Sequence, residues 1–231
     1  MSRPEPIESV ILWDIDGTLL NSPDSRLDKH VLAVEVFLGH ALPTQERIAG
    51  KTDRQLLCEL LKANGTDVSS NALTEVLGIL DSLSIKEISQ SPVSTIPGAV
   101  SALAAADSAG WINGLLTGNT PARARAKLES ASIWEAFDLN FGYFGDNAAS
   151  RLDLVAEGIS AIQSQGCFEV VLVGDTPLDI QSAKRHGLRV VAVATGLYSF
   201  PDLNDLDPDL LISDWESGCT SLVDFLNSAH N

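Results

Sequence analysis

The chain has 231 residues, enough for one sizeable α/β domain or a core domain carrying a smaller insert. Apolar residues make up 45% and the formal net charge is −16, which favours solubility and argues against nucleic acid, whose partners present basic surfaces. No apolar run approaches the roughly 18 to 20 residues that span a bilayer, and the polar opening Met1-Ser-Arg-Pro-Glu-Pro has no signal-peptide core, so no membrane partner is expected. Cys58, Cys167 and Cys219 are odd in number, scattered and without the paired spacing of a zinc site. They fit free thiols in a reducing, cytoplasmic compartment.

The first element is a buried strand through Val10-Ile-Leu-Trp13, ending abruptly in Asp14-Ile-Asp-Gly-Thr18. From about residue 22 to 90 the pattern is helical with no convincing strand, and Leu27–Leu38, Asp53–Ala63 and Ser70–Ile88 read as amphipathic helices. Ser91-Pro92 and Ile96-Pro97-Gly98 mark the return to apolar runs alternating with helical patterns, the signature of a parallel sheet. Trp111–Thr117 reads as a strand, and the next helix runs to Ser130 with Thr120 capping and Pro121 in its first turn. Asp138–Phe144 is a weaker strand and Arg151–Gln165 a helix. Glu169–Gly174 is a buried strand, followed by a helix over Pro177–His186 that stops at Gly187. Strands at Leu188–Ala194 and Asp209–Ile212 and a helix over Trp215–Leu226 complete the chain. A core of residues 1–21 and 91–231 with a helical insert over 22–90 follows.

Chemistry concentrates where strands stop. Side chains two apart in an extended segment share a side, so Asp14 and Asp16 are expected to converge. Their repulsion is costly unless a cation joins them or one takes a proton, and a bivalent metal with a phosphorus electrophile would explain both. Leu115-Leu-Thr-Gly-Asn-Thr120 offers the Thr117 hydroxyl and backbone N–H groups at Gly118 and Asn119 beside a helix start, a natural phosphate cradle. Val171-Leu-Val-Gly-Asp-Thr-Pro-Leu-Asp179 ends a strand in Asp175 and adds Asp179. Arg151 lies between these segments. Ligands of open parallel sheets bind at the carboxyl ends of strands, where all four segments point. In the insert, Arg47-Ile-Ala-Gly-Lys-Thr-Asp-Arg54 carries three cations and a turn-permitting glycine, which makes Lys51, Thr52 and Arg54 candidates for substrate specificity. Gln45 stands where a Walker loop needs its first glycine, and no strand precedes it, which excludes an NTP-binding loop. Arg123, Arg125 and Lys127 read as the solvated face of one helix.

Together these residues resemble the haloacid dehalogenase superfamily, specifically its phosphoglycolate-phosphatase-like branch with a helical cap. Asp14-Ile-Asp-Gly-Thr is similar to the first motif, Thr117-Gly-Asn to the second, and Gly174-Asp-Thr-Pro-Leu-Asp to the fourth. The third motif is usually a lysine, and Arg151 stands in for it with a bulkier, bidentate cation. The resemblance implies a Rossmann-like three-layer core with a cap inserted after the first strand. It further implies Asp14 as nucleophile, forming an aspartyl-phosphate, and Asp16 as general acid and base. Mg²⁺ would be held by the Asp14 carboxylate, the Asp16 backbone carbonyl and Asp175, with Asp179 orienting that shell. Thr117, Gly118, Asn119 and Arg151 would hold the phosphoryl oxygens, and the cap would act as a lid. The partner expected is a small phosphate ester, phosphoglycolate-like or a sugar phosphate, acted on by a monomer or homodimer. A phosphomutase of the β-phosphoglucomutase type, or a phosphate-binding regulatory protein with vestigial activity, are the alternatives. Dehalogenases of the superfamily lack the second aspartate, which Asp16 supplies here.

Overall fold

The computed structural model describes residues 8–21, 28–42, 49–166 and 168–228. Leu27, Gln45, Arg47 and Cys167 lie outside the described residues. The first strand, β1 (Glu8–Trp13), is followed by a two-residue strand β2 (Leu20–Asn21), and then by cap helices α1 (Asp28–Leu38), α2 (Asp53–Ala63) and α3 (Ser70–Gln90). The chain returns through β3 (Ser94–Thr95), which pairs antiparallel with β2, Leu20 opposite Thr95. The two stems of the insertion are therefore tied to each other, and the cap enters after β2, not directly after β1. A two-residue ribbon is too short to leave a period-2 signature in the sequence.

The core continues with α4 (Ala99–Ser108), β4 (Ile112–Thr117), α5 (Pro121–Ser130), β5 (Gly142–Phe144), α6 (Arg151–Gln165), β6 (Phe168–Gly174), α7 (Pro177–Arg185), β7 (Arg189–Val193), α8 (Phe200–Asn204), β8 (Leu210–Ile212) and α9 (Trp215–Asn227). The six strands form one sheet in the order β5-β4-β1-β6-β7-β8, with parallel pairing throughout. Between Asp138 and Phe144 only the last three residues are strand; Leu139–Phe141 forms a 3-10 turn capped by Asp138.

Because alternate strand residues face opposite ways, the apolar run of β1 feeds two cores. Ile11 and Trp13 join Ala102, Leu103, Leu128, Trp215 and Leu222 on one face. Val10 and Leu12 join Leu116, Leu154, Val155 and Ile180 on the other. Trp13 meets Trp215 edge to face at 5.6 Å and donates its indole N–H to Asn113. The cap has its own small core, in which Val34, Leu57, Leu61, Val76 and Leu80 are buried.

The strand order decides where a ligand can sit. From β1 the chain works outward through β4 and β5, then crosses to β6, β7 and β8 on the other side of β1. Connections leave the adjacent ends of β1 and β6 in opposite directions, opening a crevice at their carboxyl ends. Asp14 follows β1, Asp175 follows β6, and Thr117 ends β4.

Candidate active site

Backbone chemistry seats the first two acids. Asp14 extends the ladder, its N–H donating to the Val173 carbonyl at 2.9 Å. The chain then turns sharply at Gly17, whose φ of +81° suits a residue without a Cβ. A Cβ there would also lie 2.3 Å from Asp175 Oδ2, and one on Gly196 only 1.7 Å from the same oxygen. Asp175 is thus held between two glycines, with the Thr18 hydroxyl donating to its Oδ1 at 3.0 Å. Thr176 and Asp179 form a capping box at the start of α7: the Thr176 N–H and hydroxyl both donate to Asp179 Oδ2, at 3.0 and 2.6 Å.

One carboxylate oxygen from each of Asp14, Asp175 and Asp179 lies within 4.8 Å of the others, and all three residues are buried. Arg151, the first residue of α6 and itself buried, stands against this group. Its Nη2 is 2.6 Å from Asp179 Oδ1 and 3.5 Å from Asp14 Oδ1, and it donates to the Leu116 carbonyl at 3.0 Å. A set of hard anionic oxygens in excess of the arginine beside them suits a hard divalent ion. Asp179, with one oxygen in the capping box and the other facing Arg151, is the most committed of the three.

Asp16 is not one of the three acids whose oxygens gather, though its charge reaches Asp14. Its carboxylate has partners of its own. Lys127 Nζ donates to Asp16 Oδ1 at 3.0 Å, to Asp16 Oδ2 at 2.8 Å and to Asn119 Oδ1 at 2.9 Å. The Asn119 amide in turn donates to Asp16 Oδ2 and to Thr117 Oγ1, both at 2.8 Å.

The reading of Arg123 and Lys127 as a solvated face is overturned. Both are buried, Lys127 with no exposed surface at all. Only Arg125 lies outward, pairing with Glu129 one turn along. The missed signal was present: Arg123, Ala124, Lys127 and Leu128 recur at helical spacing and form the buried stripe of α5. Their polarity, taken alone, suggested solvent.

Arg123 instead docks the cap. Its guanidinium pairs with Asp53, at the start of α2, and its Nε donates to Ser84 of α3 at 3.0 Å. Asp53 also accepts the Thr120 N–H at 2.9 Å and lies 2.8 Å from His30 Nε2. Backbone bonds join the same surfaces, Asp53 N–H to Gly118 O at 2.7 Å and Arg54 N–H to Gly145 O at 3.1 Å. Of the cap candidates, Thr52 is buried; its hydroxyl caps α2 and donates to the Ala148 carbonyl at 2.9 Å. Arg54 contributes that backbone bond to Gly145. Lys51 pairs with Glu59 at 2.6 Å and lines a cavity of about 380 Å³ with Arg151, Leu178 and Arg185. A Cβ on Gly118 would lie 2.5 Å from Lys51 O, so the cap loop rests directly on the segment that carries Thr117 and Asn119.

Electrostatics separate the two clusters. Burial raises the Asp14 carboxyl to about 7; Arg151 opposes the rise, while Asp179 and Asp16 add to it. Burial, then the charges of Asp14 and Asp179, drive Asp175 well above the ordinary carboxylate value. Asp16 goes the other way: burial pushes it up, but the charge and hydrogen bonds of Lys127, helped by Asn119, bring it below normal. Burial also works against the charge of Arg151, and Asp179 and Asp14 overcome it.

Residues 11–193 match the family described as haloacid dehalogenase-like hydrolase, and the chain belongs to that family. It is a hydrolase with a cluster of catalytic-type aspartates at the mouth of a Rossmann-like sheet. Among proteins of similar sequence, a phosphoglycolate phosphatase of Mesorhizobium japonicum is 26% identical over 232 residues, covering 98% of this chain and 97% of that protein. A protein of Dickeya dadantii named "Probable phosphatase IndB" is 25% identical over 213 residues, covering 89% and 90%. Among solved structures, CbbY of Rhodobacter sphaeroides in complex with phosphate superposes with a TM-score of 0.67 at 16% identity, over 94% of this chain and all of that one (100%). That likeness is one of fold.

Proposed function

We propose that this hydrolase is a Mg²⁺-dependent phosphatase that cleaves small phosphorylated metabolites through an aspartyl-phosphate on Asp14. One observation carries the reading: three buried carboxylates, two of them driven toward protonation, face a single arginine at the carboxyl ends of β1 and β6. A divalent ion would balance that excess. Asp14, Asp175 and the Asp16 carbonyl would hold Mg²⁺, with Asp179 in support. When bound, the ion would neutralise developing charge on the phosphoryl oxygens.

The chain's own residues then divide the work. An Asp14 oxygen attacks phosphorus in line; the new O–P bond forms as the ester O–P bond breaks, and the leaving oxygen takes a proton from the Asp16 carboxyl, which the negative charge of the bound phosphate ester raises and keeps protonated. Water next attacks the aspartyl-phosphate and gives a proton to the Asp16 carboxylate. Asp14 is regenerated as inorganic phosphate departs. Arg151, the Thr117 hydroxyl and the backbone around Gly118 and Asn119 hold the phosphoryl oxygens.

The cap, residues 22–90 against a core of 1–21 and 91–231, shields the reaction from water. Its Lys51 is the specificity residue of choice, because the cap loop that carries it rests on Gly118, between Thr117 and Asn119. Phosphoglycolate-like acids and sugar phosphates are the substrate classes, in keeping with the 26% identity to a phosphoglycolate phosphatase. A cytoplasmic location belongs to the same reading, supported by the free thiols of Cys58 and Cys219.

The test is a screen of small phosphate monoesters with and without Mg²⁺, joined to acid quenching with ³²P-labelled substrate. Wild type should turn over metal-dependently and retain label on the protein, and Asp14→Asn should do neither. Labelling that survives Asp14→Asn, or turnover indifferent to metal, would end the proposal.

A further inference from the structure

The ammonium of Lys127 is the most deeply buried cation described near the reacting groups, and the mechanism above gives it no task. An ammonium has three N–H groups and no acceptor. It donates to both oxygens of Asp16, at 3.0 and 2.8 Å, and to Asn119 Oδ1 at 2.9 Å. Two of these bonds converge on one carboxylate, so the side chain grips Asp16. Asn119 closes the figure by donating to the same Asp16 Oδ2 that Lys127 contacts.

The grip is also rigid. Lys127 sits on the second turn of α5, which is fixed at its start by Thr120 capping Arg123 N–H and, one turn before Lys127, by the Arg123–Asp53 pair. A flexible lysine stem normally costs rotamer entropy to hold. Here Ala124 and Leu128 pack beside it on the buried stripe, so much of that cost is met by the fold. Arg151 serves the opposite side of the site, touching Asp14 and Asp179. The two buried cations thus attend different aspartates, Arg151 two of them and Lys127 the third.

We infer that Lys127 is a positioning residue: with Asn119 it holds the Asp16 carboxyl in the orientation from which it serves the ester oxygen. This rests on the reading of Asp16 as general acid and base. Proton delivery is geometrically demanding, and a displacement of about 1 Å costs on the order of 10²-fold in rate. The demand depends on the leaving group. An alkoxide must be protonated as it departs, whereas 4-nitrophenolate leaves unaided.

The experiment compares 2-phosphoglycolate and glycerol 3-phosphate with 4-nitrophenyl phosphate in saturating Mg²⁺, for wild type, Lys127→Met, Lys127→Gln, Asp16→Asn and the double variant Asp16→Asn/Lys127→Met. For Lys127→Met, kcat on alkyl esters should fall about 10²-fold while the aryl ester changes only a few-fold, with KM little altered. Lys127→Gln, which keeps an N–H donor, should recover part of the alkyl loss. In the Asp16→Asn background the lysine change should add nothing, since both act through one group. Turnover of the aryl ester doubles as the measure of folded protein. Equal loss on all esters, or full additivity with Asp16→Asn, would make Lys127 a structural residue and overturn the inference alone. If wild type hydrolyses none of the esters with Mg²⁺, or Asp16→Asn shows no dependence on the leaving group, the reading of Asp16 fails and takes the inference with it.

Discussion

The two sides of the site treat buried carboxylates in opposite ways. On the Asp14 side, three acids share one arginine, negative charge is in excess, and burial drives Asp14 and Asp175 toward protonation. On the α5 side Asp16 is paired with Lys127 and Asp53 with Arg123, and both of these acids are held below the ordinary value against the pull of burial. The same low-polarity surroundings therefore yield a site that calls for a divalent ion and, beside it, pairs that need none. Stoichiometry of charge, more than depth of burial, decides which.

The largest effect that could break this contrast is on turnover. Asp14→Asn should lower kcat by on the order of 10³-fold or more, measured by phosphate release, because the bond to phosphorus is made on the Asp14 carboxylate. A fall of less than tenfold would mean that the acid-rich side is not where bonds are made.

The matched side is next. Asp53→Asn leaves Arg123 buried against an uncharged partner and should cost about 3 kcal/mol in urea denaturation at neutral pH. Asp53 in the folded protein lies below its unfolded value, so its contribution is present above the ordinary value of 3.8 and is lost as the solution is acidified below it. The gap between wild type and Asp53→Asn should accordingly close in acid; a gap that stays constant would deny the ion pair its role.

The acid-rich side should respond with the reverse sign. Asp14 is raised from 3.8 to about 7, so the metal-free folded state holds more protons than the unfolded chain across that interval. Stability supplied by Asp14 and Asp175 should then fall as pH rises through it. In chelator, Tm should drop by several degrees from pH 5.5 to pH 8, and Mg²⁺ should restore it at the higher pH. A metal-free protein as stable at pH 8 as at pH 5.5 would contradict the excess of negative charge.

The smallest change sharpens the geometry. Gly196→Ala would bring a Cβ into Asp175 Oδ2, where the space allows 1.7 Å, and must displace that carboxylate. Mg²⁺ affinity, read from the activation curve, should weaken about tenfold, with little loss of stability. Unchanged affinity would remove Asp175 from the ion's surroundings.

Much of this arrangement was legible in the residues. Helix α2 begins and ends where the pattern predicts, α5 starts at the anticipated Thr120 cap, and Asp14 and Asp175 stand at the ends of apolar strands. Such features are local: a run of buried residues, a capping hydroxyl or a glycine at positive φ states its structure within a few positions. Helix α4, rich in alanine, was not anticipated, because alanine gives little contrast between faces.

The chain's pattern by itself determined the parallel α/β core, the helical insertion and the strand ends that gather acids. Tertiary structure alone decided that Lys127 holds Asp16, and that Arg123 faces the cap instead of water. The reason is distance along the chain: Lys127 lies 111 residues from Asp16, and Arg123 lies 70 from Asp53 and 39 from Ser84. Periodicity marks which helix positions share a face, but only packing reveals what that face meets. For a charged residue, the identity of that neighbour separates a solvated surface from a working ion pair.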